Sequence, residues 1–111
     1  MSQRLFAVPI LPGKTAQARA FLRALGDERK EEFAACEARL GVTKEVWAIQ
    51  SGPQGDLLIC YFAAADVGQV ATVFTASQEE FDVWFNAQLT ETAGPNWGSQ
   101  HPSEILADYQ A

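Results

Sequence analysis

The 111-residue sequence holds a single histidine, His101, and only two cysteines, Cys36 and Cys60. One histidine excludes the two-histidine zinc signatures and the two-histidine, one-carboxylate iron triad, and the cysteines lack the close spacing of a thiolate metal site. Long apolar runs are also missing. The run at residues 5–11 is interrupted by Pro9, closed by Pro12 and followed by Lys14, which predicts neither a secretory signal nor a membrane span. Basic residues are few: eight Lys and Arg against fourteen Asp and Glu give a net charge of −6, so a phosphate backbone would be repelled over most of the surface and nucleic acid is disfavoured. There is no G-x-S-x-G elbow, and Gly52-Pro53-Gln54-Gly55 lacks the spacing and the following Lys-Ser/Thr of a phosphate loop. Ser99 or Ser103 with His101 and Asp108 sit too close in one extended segment to converge as a catalytic triad.

What is present is a globular composition, 48% hydrophobic and 20% charged, in a chain long enough for one domain, residues 1–111. Both cysteines fall within apolar patterns, as small buried hydrophobes in a reducing compartment do, and the expected address is the cytoplasm.

Residues 3–10 read as a first strand, apolar on both faces: Phe6, Val8 and Ile10 on one, Leu5 and Ala7 on the other. From Ala16 the period changes, and Ala18, Phe21, Leu22 and Leu25 form a helical stripe that Gly26 interrupts. Asp27 is expected to cap a second helix with an acidic first turn and a buried stripe of Phe33, Cys36 and Leu40, ended by Gly41. Residues 43–51 alternate, with Thr43, Glu45, Trp47 and Ile49 on one face and Lys44, Val46, Ala48 and Gln50 on the other. The turn at 52–56 then leads into a doubly apolar strand at 57–63, completing a hairpin. Asp66 suits the cap of a short helix carrying Val70, Val73 and Phe74. Ser77-Gln78-Glu79-Glu80 reads as a capping box before a helix with Phe81, Trp84, Phe85 and Leu89 on its apolar stripe, and residues 104–109 are expected as a short last strand.

This order predicts an α+β fold, a ferredoxin-like β-α-β-β-α-β sandwich with an antiparallel sheet. Helices cover one face of such a sheet, and the apolar second face then needs a cover. A homodimer closing two sheets face to face into a barrel is expected, the alternative being that residues 97–109 fold across their own sheet.

The string Glu45-Val46-Trp47, the Gly55-Asp56-Leu57 turn into Ile59-Cys60-Tyr61-Phe62, Asp66, and Ser77 followed by Phe81-Asp82 and Trp84-Phe85 resemble the DUF6176 group of small bacterial proteins within the dimeric α+β barrel superfamily. The likeness runs over nearly the whole chain and extends to Pro12-Gly13-Lys14 and Ile105-Leu106-Ala107-Asp108-Tyr109. It implies the dimeric barrel fold but no particular reaction, since the superfamily includes monooxygenases, haem-degrading enzymes, chlorite dismutase-like proteins and stress-response domains. Haem-binding relatives ligate from a helix or strand lining the barrel, whereas His101 lies in a loop-like segment, so no cofactor is expected.

The residues favoured for chemistry are Glu45 and Tyr61 as a catalytic pair, with Trp47, Arg4 and His101 as substrate contacts. A carboxylate in an apolar pocket has a raised pKa and serves as a general base, a tyrosine donates a hydrogen bond and a tryptophan offers a stacking face. That set suits metal-free proton abstraction from, or oxygenation of, a small apolar or aromatic molecule. The competing reading is a non-catalytic interaction module with a filled barrel, in which Glu45 pairs with Arg4 or Lys44, Tyr61 bonds a neighbour and Trp47 packs in the dimer core.

Overall fold

The apolar residues that open the chain form β1 (Ser2–Pro9) in the computed structural model, which describes residues 2–99 and 101–111. The Pro12-Gly13 turn feeds α1 (Thr15–Leu25), which buries Ala18, Phe21, Ala24 and Leu25 along one stripe. A short turn leads to α2 (Lys30–Leu40), and Gly41, in the left-handed region at φ 75°, ends it by closing its N–H onto the Ala38 carbonyl. β2 (Val42–Gly52) and β3 (Gly55–Ala64) are joined through Pro53 and Gln54. α3 (Val67–Ala76) starts where the Asp66 carboxylate accepts the Gln69 N–H at 3.1 Å. Last come α4 (Glu80–Ala93) and a single 3₁₀ turn, Trp97–Ser99.

The fold is α+β: four helices and a three-stranded sheet in the order β1-β3-β2, antiparallel at both junctions. Register decides which side chains meet. Arg4 stands opposite Phe62, and Phe62 opposite Glu45; Phe6 stands opposite Cys60, and Cys60 opposite Trp47. Paired residues share a face, so Arg4, Phe6, Val8, Glu45, Trp47, Ile49, Leu58, Cys60 and Phe62 all point to the side the helices cover. The core lies between these layers, with Val8, Leu58, Cys36, Cys60 and Leu89 almost fully enclosed. Phe85 of α4 is its centre, its ring packed 5.4–6.1 Å from those of Phe74, Trp47, Phe81, Phe21 and Phe33.

The opposite sheet face carries Leu5, Ala7, Val46, Ala48, Leu57, Ile59 and Tyr61 without a covering layer. Val46 is 45% exposed there. In all, the chain exposes 7124 Å², against about 6,000 Å² expected from its mass.

Four local expectations are corrected. Residues 104–109 form no strand; the tail is irregular, touching the outer edge of β1 through the Ser103 N–H to the Leu5 carbonyl and through Gln3 to Asp108. Asp27 caps nothing, because the chain makes another turn before α2 begins at Lys30 behind Arg29. The box at Ser77 does not close on Glu80. Instead the Ser77 hydroxyl accepts the Glu79 N–H and donates to Asp82 at 2.6 Å, and the helix begins two residues later. Asp82, in the first turn of α4 where a carboxylate is expected to stand in solvent, is instead 1% exposed and takes a bidentate hydrogen bond from Arg39 at 2.8 and 3.0 Å.

Candidate functional site

The face shared by the three strands leaves a gap under α2, α3 and α4. Its floor is two cross-strand rows: Arg4, Phe62 and Glu45 in one, Phe6, Cys60 and Trp47 in the next. Its roof is Glu37 and Leu40 from α2, Val70 and Phe74 from α3 and Phe85 from α4, with Trp97 closing one side. The enclosed volume is about 90 Å³. At ~10–15 Å³ per water-sized site it admits several waters or the body of a small organic molecule.

Two carboxyl groups share this apolar space. Glu45 lies on β2, where the strand alternation turns it inward beside Trp47, and the Trp47 indole N–H donates to its carboxylate at 2.7 Å. Glu37 reaches it from α2 and shares a hydrogen bond with it. Both groups are half-buried, and burial raises both pKa values. The Glu37 carboxyl is pushed up to about 9, first by burial, then by the charge of Glu45 and the hydrogen bond it donates to it, with a smaller push from Asp82. For Glu45 burial is opposed by the hydrogen bonds from Trp47 and Glu37. Burial and the mutual repulsion of two carboxylates both favour a proton shared within the pair. A carboxylate held this way, at the wall of an aromatic cavity, is equipped to take a proton from a bound molecule, and the neighbouring acid is equipped to return one.

Of the residues singled out in the sequence, the fold brings Glu45, Trp47 and Arg4 together around this cavity. It separates the other two. Tyr61 is opposite Leu5 and Val46, on the far face of the sheet, and its hydroxyl donates to the Gln3 side chain. Tyr61 thus cannot reach a molecule held beside Glu45. His101 is exposed in the irregular tail, away from the cavity lining. The expected ion pairs of Glu45 with Arg4 or Lys44 are not made: among the described residues the ion pairs are Arg29 with Glu32 and Arg39 with Asp82.

Glu37 was missed by the sequence reading although its position was legible. Phe33, Cys36, Glu37 and Leu40 fall at i, i+3, i+4 and i+7, so the stripe that buries Cys36 aims Glu37 at the sheet. Cys60 lies in the floor between Phe6 and Trp47. Burial, followed by the charges of Glu45 and Glu37, pushes its thiol far above the ordinary range, which removes it as a nucleophile. Behind the cavity, Arg39, Asp82 and Ser77 tie α2 to the start of α4, and Cys36 donates to the same carboxylate. Among the described residues no three His, Cys, Asp or Glu side chains are grouped to hold a metal ion, and no helix is long and apolar enough to cross a membrane. Comparisons with protein-family models, with curated proteins and with solved structures return no match to this chain.

Proposed function

We propose that the chain is a small-molecule-binding protein of the dimeric α+β barrel type that holds a small apolar or aromatic molecule between its sheet and helices, with Glu45 as the proton-accepting group. The observation that carries this reading is the juxtaposition of Glu37 and Glu45 with aromatic walls in one cavity. Such pockets are mostly apolar with a few placed polar groups, and a carboxylate there abstracts protons without a metal. Proton abstraction is the first step shared by isomerisation and cofactor-independent oxygenation. A packed interior would have favoured the interaction-module alternative; the cavity favours binding. At about 90 Å³ it is smaller than the several hundred Å³ of a typical ligand pocket, which restricts the occupant to roughly a single ring.

The homodimer belongs to the same proposal. The uncovered sheet face is apolar, with Val46 45% exposed on it, and this is the kind of surface that a second copy covers. The tail supports a ferredoxin-like plan, since residue 103 touches the outer edge of β1, where a fourth strand of that plan would lie. Two free, buried thiols fit a reducing compartment such as the cytoplasm.

Titration with phenol, followed by tryptophan fluorescence, tests the site because Trp47 and Trp97 both border the cavity. Saturable quenching is expected in the wild type and in Val46→Lys on the opposite face, and its loss is expected in the cavity-filling Val70→Phe. Equal, non-saturating quenching in all three overturns the reading. The base role is read from deuterium exchange into acetophenone, expected above the buffer rate and reduced about 100-fold by Glu45→Gln.

A further inference from the structure

Among the described residues Arg4 is the one cation lining the cavity. Its row, Arg4–Phe62–Glu45, runs across all three strands, and at ~4.8 Å between neighbouring strands its two ends stand roughly 10 Å apart at the backbone. Both end residues project to the same face, with the Phe62 ring between them and the aromatic cavity above. Yet the two charges do not meet. Among the described residues the guanidinium of Arg4 has no ion-pair partner and no side-chain hydrogen bond, and the residue as a whole is half-buried where it lines the cavity. Arg4 also borders the adjoining groove formed by the tail at Pro102, Ser103 and Ile105, so one side of it is open to an entering molecule.

A guanidinium without a partner at the edge of an apolar cavity is a receptor for a planar anion, because its fork of N–H donors matches the two oxygens of a carboxylate. The opposite end of the row offers a hydrogen-bond acceptor, Glu45, and the space between is apolar and about one ring wide. These features select one class of molecule. We propose that Arg4 is the carboxylate receptor of this site and that its ligand is a single-ring aromatic, or similarly sized apolar, carboxylate bearing a hydroxyl or other acidic proton at the end remote from the carboxylate. The proposal rests on the cavity being the binding site, as set out above, and adds the sign and orientation of the occupant: carboxylate toward Arg4 and the tail, acidic proton toward Glu45. The net charge of −6 does not attract such an anion from a distance, so selectivity resides in the local fork and not in steering.

Paired probes of one shape test it. Affinities of the full chain for 4-hydroxybenzoate and 4-hydroxybenzamide, measured by tryptophan quenching at constant ionic strength, are expected to favour the carboxylate about tenfold or more. Arg4→Gln is expected to bring the ratio to about one, chiefly through weaker carboxylate binding, and Arg4→Lys, which keeps the charge but loses the fork, to fall between. Circular dichroism checks that each variant is folded. Equal wild-type affinities, or a preference for the amide, overturn the role of Arg4 and leave the cavity reading in place. Failure of both probes and of phenol to bind overturns both.

Discussion

The indole N–H of Trp47 donates at 2.7 Å to the carboxylate of Glu45, two residues back on the same strand. One side chain is thereby fixed by its neighbour on the inner face of β2, and the tryptophan packs edge-on against Phe6 and at a tilt against Phe85 while it donates. Trp47→Phe keeps much of the ring packing and removes the donor. The Glu45 carboxyl is then expected to rise further in pKa, seen as a larger protonated fraction in its carboxyl carbon resonance at neutral pH, with a stability loss of about 2 kcal/mol. An unchanged Glu45 titration would show that the indole does not hold the charge.

Stability should depend on pH in two opposed ways. Glu37 titrates at about 9 in the fold and near 4.5 when unfolded, so across that interval the native chain binds more protons and stability falls as pH rises. Asp82 is held at about 2 by Arg39, below the ordinary 3.8, so its contribution is present above 3.8 and is lost as pH falls toward 2. Glu45 and Asp82 are the charged neighbours that set this balance around Glu37. Denaturation midpoints are expected to peak at about pH 4–5. Glu37→Gln should flatten the alkaline limb and raise the melting temperature at pH 8 by about 4–8 °C per kcal/mol of relieved burial cost.

Removing Arg39 leaves the Asp82 carboxylate buried without its bidentate partner. Arg39→Met is expected to cost about 3 kcal/mol in urea denaturation, and the double variant Arg39→Met/Asp82→Asn to recover part of it because the stranded charge is gone. An additive double variant would mean that the two groups do not interact.

Sedimentation addresses the second face of the sheet. A dimer at micromolar concentration is expected for the wild type, and Val46→Lys, which puts a charge within the exposed apolar patch, should shift it to monomer without lowering the folded fraction. A wild-type monomer would refute the proposed pairing, while the cavity, built within one chain, would stand.

Much of the fold was legible in the sequence. All three strands of the sheet, the stripe of α1, the Asp66 cap and the glycine stop at Gly41 follow from period, capping chemistry and backbone freedom, all of which act over a few residues. The site was half legible. Alternation alone put Glu45 with Trp47, and Tyr61 with Leu57 and Ile59, but it could not say which set of one strand shares a face with which set of the next. Register decides that, and a slip of one residue would exchange every partner. Opposition of Trp47 to Cys60 and not to Tyr61 sent the tyrosine to the far side. The Ser77 hydroxyl likewise kept a backbone N–H, that of Glu79, but its own proton goes to the buried Asp82 carboxylate, whose burial the local pattern does not show. The last strand failed for a related reason, since strand propensity at 105–109 needs a ladder, and the tail makes one backbone bond to β1 at its start.

The two thiols sit at the seams that hold the layers together, Cys36 between α2 and α4 and Cys60 beneath the carboxyl pair, each 1% exposed and each kept in its unreactive form by burial and nearby negative charge. Alkylating reagents therefore reach them only when a seam parts. The chain thus carries two built-in clocks, whose labelling rates separate opening of the helical layer from lifting of the sheet.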